Sequence, residues 1–422
     1  MSTAATTDVP EKKTPKKQSR VFANAQRLGR SLLLPIAVMP AAGILLRLGQ
    51  SDMLGAIPGF EKGATIVAAA GNGVFTWLPL LFAVGIAIGW AKKSDGTTAL
   101  AAVVGYMVMY QVFAAMSPIV LEGVKDSSGN QATINFGVLG GIIMGLVSAG
   151  LWTRFHRTKM PDFLGFFSGR RLVPILAAVA ALIIAVLMSF VYRYFDQGLT
   201  WVGEQVTSQP VIGGGIFGFV NRMLIPIGLH QLLNFFPWFQ LGSFTTGGVT
   251  YHGDIARFLA GDPAAGIFQT GFFPIMMFAL PAGALAIWRN ARPSQRKLVG
   301  GIMLSAALTS FVTGITEPLE YSFMFVAWPL YVIHAVLTGT SLALVNALGI
   351  HDGFSFSAGA IDYVLNFGKA QGAIWLIPIG LAYAAVYYFL FSFVIKKWNL
   401  GTPGREPEDE IASASVDDLT KA

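Results

Sequence analysis

Three side chains are at odds with their surroundings. Arg222 and His230 lie in the apolar stretch NRMLIPIGLHQLLN, and Glu317 lies in GITEPLE between two apolar runs. A charge at the centre of a bilayer costs about 2.5–3.5 kcal/mol on insertion scales, so a charge inside an apolar run marks a candidate functional site. Arg222, Pro226, His230 and Asn234 follow at intervals of four. That spacing predicts one helix face, kinked at Pro226. Thr316, Glu317 and Glu320 form a second group. The residue before a proline is pushed out of the α region, so Glu317 before Pro318 predicts a helix break, with Gly314 supplying backbone freedom. Glu320 can pair with Arg222 or cap the next helix. A carboxylate and an imidazole at membrane depth suit proton abstraction from a substrate hydroxyl, and equally a proton relay; a guanidinium suits stabilisation of developing negative charge. The plain alternative is a snorkelling Arg222, a packed His230 and a water-exposed Glu317.

Other polar groups carry less. His334 in YVIHAVLTG reads as a packing residue. The stretch GIHDGFSFSAGAIDY, with His351, Asp352, Ser355, Ser357 and Asp362, reads as the lining of a sugar site or as a loop. YHGDIARFLAGD, with His252, Asp254, Arg257 and Asp262, reads as a membrane-surface loop or a docking face, and His156 as surface. No zinc spacing, phosphate-cradling loop or Ser–His–Asp signature occurs, and no cofactor or metal is expected. The chain has no cysteine. Thiolate nucleophiles, disulfides, cysteine zinc sites and iron–sulfur clusters are thereby excluded from these residues.

The elements that must position these groups are membrane helices. The 422 residues are 54% hydrophobic and only 12% charged, where soluble domains carry roughly twice that charge. Mean hydropathy is +0.60. The expected fold is an all-α polytopic membrane protein. Eight runs are long and apolar enough to span: 31–49, 65–91, 98–120, 137–152, 172–192, 264–288, 298–313 and 372–395. Two more, 209–240 and 320–349, are interrupted by Gly, Pro, His or charge. The net charge of +7 comes from basic residues flanking apolar runs. They read as cytoplasmic anchors in a lipid bilayer, and nucleic acid is not an expected partner. The first run begins too far in for a cleavable signal and should remain as a helix.

Lysine and arginine place the N-terminal tail, Lys92–Lys93, the 154–171 loop, the 289–297 loop and the tail from Lys396 on the cytoplasmic side. Five helices alternate with that assignment. Between Arg171 and Arg289, and again between Lys297 and Lys396, the runs give the wrong parity. Each interval therefore needs a re-entrant excursion or an extra crossing, and irregular backbone at membrane depth is tolerated only where protein or water satisfies it. The second half is thus expected to hold the substrate. The division is a basic cytoplasmic segment (1–30), a first membrane half (31–195), a second, functional half (196–400) and a polar tail (401–422).

The strings NRMLIPIGLHQLLN, YHGDIARFLAGDPAAG, FFPIMMFALPAGALA, LTSFVTGITEPLEYSFMFVAWPLYVIHAVLTG, GIHDGFSFSAGAIDYVLNFG and LGTPGRE closely resemble the membrane (IIC) component of the glucose–glucoside family of bacterial sugar phosphotransferase systems. The likeness runs from about Arg20 to Glu406. GLHQLLN, PIMMF and HDGFSFSAGAIDYVLNFG look more like the N-acetylglucosamine branch than the glucose branch. The resemblance implies about ten transmembrane helices plus re-entrant hairpins in the second half, a first half that scaffolds a homodimer, and a second half that moves the sugar. His230 and Glu317 match the family's sugar-binding and catalytic pair, with Thr316 and Arg222 at neighbouring positions. Asn234, Glu320, Ser355 and Ser357 are the further substrate-contact candidates.

The implied activity is uptake of N-acetylglucosamine or a related hexose across the bacterial cytoplasmic membrane, both termini inside, with phosphorylation of the 6-hydroxyl by a phosphocysteine on a IIB domain. In many relatives a TPGRE-type linker leads into that domain. Here the chain runs LGTPGREPEDE and, having no cysteine, is expected to use a separate cytoplasmic phospho-IIB protein. A glucose-specific IIC, a proton-coupled transporter relaying protons through Glu317 and His230, and a sugar sensor are the competing readings.

Overall fold

The computed structural model describes residues 27–28, 31–32, 35, 37–125 and 130–405. The basic segment before Arg27 and the tail beyond Arg405 lie outside the described residues. Among the described residues six helical stretches are long and apolar enough to cross a membrane: Gly96–Val120, Val138–Phe155, Gly169–Trp201, Pro210–Ile227, Trp328–Ala347 and Ala373–Lys397. A bent pair, Glu61–Thr76 and Leu78–Trp90, makes a seventh if counted as one span. The protein is a multi-pass α-helical membrane protein, with one small β-hairpin added to the expected all-α plan.

In the first half, α1 (Met39–Leu48), α2 (Glu61–Thr76), α3 (Leu78–Trp90), α4 (Gly96–Val120), α5 (Val138–Phe155) and α6 (Leu172–Ser208) follow in order. α4 begins with a capping box. The Asp95 carboxylate accepts from Thr97 N at 2.9 Å while Thr98 Oγ1 accepts from Asp95 N at 3.2 Å. α3 to α6 pack around Ala83, Ala87, Met109, Met144 and Ala181. Two expectations change here. The 65–91 run is not one straight span but two helices at 48°, because Pro79 has no N–H to return to the preceding turn. The 172–192 run continues as a helix to Ser208, 37 residues or about 55 Å, which exceeds a hydrocarbon core of about 30 Å. The boundary drawn at 195/196 falls inside this continuous helix.

The second half is interrupted at several points. α7 (Pro210–Leu224) gives way to a 3₁₀ turn at Ile225–Ile227, then α8 (His230–Phe235) and a π-helical turn at Phe236–Gln240. Strands β1 (Ser243–Thr246) and β2 (Val249–His252) pair antiparallel, Thr246 opposite Val249, across a Gly247–Gly248 turn of the type that hairpins favour. There follow α9 (Asp254–Leu259), a π-helical turn at Pro274–Ala279 leading into α10 (Leu280–Asn290), α11 (Arg296–Thr313), α12 (Glu317–Met324), α13 (Trp328–Ala347), α14 (Ala360–Asn366) and α15 (Leu376–Lys397). Ile275, Leu280, Phe323, Leu330, Tyr387 and Phe391 centre one core of this half, and Phe258, Phe272, Phe273, Leu342 and Phe354 another.

The expected span 264–288 is helical only from Phe272. Gly261 and Gly266, at φ +88° and +100°, cannot continue a helix, and side chains take over the backbone. Buried Asp254 accepts from the amides of Gly266 (2.9 Å) and Phe268 (3.1 Å) and from Gln269 Nε2 (3.1 Å). Gln269 Oε1 accepts from Phe354 N at 2.9 Å, Thr270 Oγ1 from Asp352 N at 2.9 Å, and Asp362 from Ser355 N at 2.7 Å. The irregular segments 261–271 and 351–359 thus lie together, with these backbone amides met by buried side chains. Asp254, Arg257 and Asp262 are buried structural groups, not the exposed surface their sequence suggested.

Candidate functional site

The two charged groups singled out from sequence meet at one cavity of about 430 Å³, within the range of small-ligand sites. The end of α7 supplies Asn221 and Arg222, α8 supplies His230, Gln231 and Asn234, and the α11–α12 junction supplies Thr316 and Glu317. Met39 and Pro40 of α1 close it from the first half, and Ser357 borders it from the 351–359 segment.

The convergence is not the single helix face that the spacing suggested. Arg222 and His230 lie on different helices, because Pro226 breaks the ladder and Gly228 reverses it at φ +74°, a conformation that glycine adopts without strain. The break turns α8 back so that His230, 5% exposed, faces the cavity beside Arg222, 3% exposed. The second junction is made similarly. Gly314 ends α11 at φ +73°, where a Cβ would stand 2.6 Å from Ser357 Oγ. Ser357 Oγ donates to the Gly314 carbonyl at 2.9 Å. Glu317 is the first residue of α12, with Pro318 in the first turn, where its missing N–H is tolerated.

His230 Nε2 lies 3.6 Å from Glu317 Oε1 and 3.0 Å from the Gln231 side-chain amide. Its Nδ1 is buried without a partner among the described residues. Arg222 Nη1 donates to Glu320 Oε1 at 2.8 Å and to Thr316 Oγ1 at 3.1 Å. The guanidinium lies over the Phe272 ring, 4.9 Å from its centroid. Asn221 donates to the Asn234 side chain. Glu320 is fully buried and lies behind Arg222 rather than in the cavity lining. Ser355 is also one layer back, its amide on Asp362, while Ser357 reaches the edge.

His334 is packed, as expected, and it is also hydrogen-bonded. Its Nε2 is 2.9 Å from Glu320 Oε1 and its Nδ1 is 2.8 Å from the Tyr387 hydroxyl. Asn221, Gln231, Trp238 and Phe272 line the cavity and were not singled out from sequence. For Asn221 and Gln231 the signal was present, since both are polar residues inside an apolar run. Among the described residues no group of three or more metal-binding side chains is placed to hold an ion.

Chemically, the Glu317–His230 pair can hold and move one proton, and the Arg222 charge is balanced from behind by Glu320. The cavity lining therefore presents a carboxylate, an imidazole, three carboxamides (Asn221, Gln231, Asn234) and three hydroxyls (Thr316, Tyr321, Ser357), a set suited to an uncharged polyhydroxyl ligand.

Residues 29–339 match the family model "Phosphotransferase system, EIIC". The chain is 55% identical to the PTS system N-acetylglucosamine-specific EIIC component of Streptomyces coelicolor, over 100% of both chains. It is 50% identical to the N-acetylglucosamine-specific EIICB component of Bacillus subtilis, covering 91% of this chain and 79% of that protein. It is 47% identical to the N-acetylglucosamine-specific EIICBA component of Escherichia coli, covering 94% of this chain and 58% of that longer protein. A match over most of the membrane region, found where two helix breaks gather the polar groups, makes the chain a member of the EIIC family of the phosphotransferase system.

Proposed function

We propose that this protein takes up N-acetylglucosamine and that the sugar is phosphorylated on its 6-hydroxyl as it enters. The observation that carries this reading is the joining of His230, Glu317, Arg222 and Thr316 around one cavity in a chain whose full-length relative is named for that sugar. The 6-hydroxyl oxygen attacks the phosphorus of a phosphocysteine, the O–P bond forms as the S–P bond breaks, and the Glu317–His230 pair accepts the hydroxyl proton. The thiolate leaves with its partner. Arg222 and Thr316 face the charge that spreads over the phosphoryl oxygens. Asn234 and Ser357 hold sugar hydroxyls, with Glu320 and Ser355 supporting from behind. The product carries about −2 charge and no longer fits a site gated towards the outside, so the sugar is trapped.

The absence of cysteine from these 422 residues supports a phospho-IIB protein as an external donor. In the same reading 31–195 scaffolds a homodimer, 196–400 carries the sugar, the helices make about ten crossings, and both termini are cytoplasmic, in keeping with the basic flanks. Proteoliposomes supplied with labelled N-acetylglucosamine should accumulate it only as the 6-phosphate and only with phosphorylated IIB inside. Free sugar accumulating on a pH gradient would overturn the reading in favour of a proton relay. Tighter binding of glucose than of N-acetylglucosamine would overturn the substrate.

A further inference from the structure

Arg222 is gripped at two points from a single helix. Pro226 stands four residues after Arg222 and has no N–H, so the Arg222 carbonyl accepts only the Ile225 amide of a tightened turn and keeps room for a second donor. The Tyr331 hydroxyl, on α13, donates to that carbonyl. Three residues further on, His334 Nε2 lies 2.9 Å from Glu320 Oε1, the same oxygen that accepts from Arg222 Nη1 at 2.8 Å. Residues three apart share a helix face. One face of α13 thus holds the Arg222 backbone directly and its guanidinium through Glu320. Behind it, the Tyr387 hydroxyl on α15 stands 2.8 Å from His334 Nδ1.

Tyr331, His334, Glu320 and Tyr387 are at most 3% exposed, and none of them lines the cavity. They cannot touch a substrate there. A carboxylate paired with a guanidinium only accepts, so the proton on His334 Nε2 points to Glu320, while Nδ1 meets the Tyr387 hydroxyl. A flexible side chain is thereby fixed against Thr316 and over Phe272 before any ligand arrives, the kind of preorganisation that electrostatic catalysis requires.

We propose that Tyr331 and His334 are positioning residues for the phosphoryl transfer, acting through Arg222. The proposal rests on the phosphotransfer reading above. Its test uses the full chain in nanodiscs, phosphorylated IIB, and the variants H334F, H334Q, Y331F, E320Q and H334F/E320Q. H334F should lower kcat for N-acetylglucosamine phosphorylation about 30-fold while leaving the sugar Kd within about threefold, because the lost interaction matters in the transition state. H334Q keeps a donor toward Glu320 and should recover to within about fivefold of wild type, and Y331F should lose about tenfold. In the E320Q background H334F should add less than about a twofold loss, since both act through one oxygen.

A second readout needs no sugar. Modification of Arg222 by phenylglyoxal, followed by mass spectrometry, should run about tenfold faster in H334F and Y331F than in wild type, as the guanidinium escapes its cover. Wild-type kcat in H334F, multiplying losses in the double variant, or unchanged Arg222 modification would each overturn the clamp. A variant that only melts earlier, with kcat and Arg222 labelling unchanged, would overturn it too and leave His334 as packing. If wild type neither binds nor phosphorylates N-acetylglucosamine, the substrate reading falls and the labelling alone decides the clamp. Should H334F not be recovered folded, H334Q and Y331F carry the same comparison.

Discussion

Arg47 and Arg222 are both buried arginines, 1% and 3% exposed, and they are held in opposite ways. Arg47 spends its whole fork: Nη1 and Nη2 on the two carboxylate oxygens of Asp52 at 2.9 and 2.7 Å, and Nε on the Leu365 carbonyl at 2.9 Å. Among the described residues Arg222 has only Nη1 engaged by side-chain partners, and its Nε is buried without one. A guanidinium saturated by bidentate pairing is a fastener. One left partly unsatisfied in a cavity has donors to give. The first joins α1 to α14, across the two halves; the second stands at the cavity where the sugar is proposed to react.

This contrast can be broken in several ways. The largest effect belongs to the groups beside Arg222. Glu317→Gln should abolish sugar phosphorylation, a loss of at least about 10³-fold, with the protein still folded and still binding N-acetylglucosamine; a wild-type rate would remove Glu317 from the reaction. Arg222→Lys should follow with a loss of about 10²-fold in kcat, because a point charge cannot reach Glu320 and Thr316 with the same geometry. Arg47→Ala should reverse the pattern. It should cost about 2 kcal/mol of stability, an amount held down by the partial exposure of Asp52, while kcat in the surviving folded protein stays within about twofold of wild type. A tenfold drop in kcat there would erase the distinction between the two arginines. Thr316→Val, which removes one acceptor from Arg222 and leaves Glu320, should reduce kcat only about fivefold.

The smallest effect is in pH. Burial pushes the Asp52 carboxyl up, but its hydrogen bonds and ion pair with Arg47, aided by Lys369 at 3.5 Å, outweigh this and hold it below the ordinary 3.8. A carboxyl lowered in the folded state stabilises the fold fully above its unfolded pKa, and the contribution is lost as pH falls through the lowered value. The difference in melting temperature between wild type and Asp52→Asn should therefore hold from pH 7 down to the ordinary aspartate range and shrink below it. A difference that grew with acidity would contradict the pairing.

Much of the architecture was legible because hydropathy and charge bias act over whole spans. α4, α5 and α15 fall within a few residues of their expected limits, and the interruptions at 209–240 and 320–349 occur where Gly, Pro and charge stand in the sequence. The possible pairing of Glu320 with Arg222 is realised. The cavity's construction was less legible. Intervals of four assume a continuous helix, and the 3₁₀ turn at Ile225–Ile227 with Gly228 removes that assumption while still bringing the same residues together. The 264–288 run looked like a span because hydropathy counts side chains and is silent about backbone. Asp254, ten or more residues upstream, takes the amides of Gly266 and Phe268, a long-range effect that no local window contains. His334 looked like packing for the same reason, since its partners stand 14 and 53 positions away.

The buried irregular segment 261–271 also sets an order for biogenesis. Its carbonyls at Ile267 and Gly271 are met by Asn346 and Ser341 of α13, at 3.0 and 2.7 Å, and Thr270 donates to the Asp352 carbonyl at 2.8 Å. All three partners are synthesised some seventy or more residues later. Lipid offers no substitute for them, so the segment cannot settle into the bilayer as it leaves the ribosome. It must wait at the translocon or in water until α13 has been made. Nascent chains arrested before residue 340 should expose 261–271 to protease, and the completed chain should protect it; protection at the shorter length would show that the segment seats without α13.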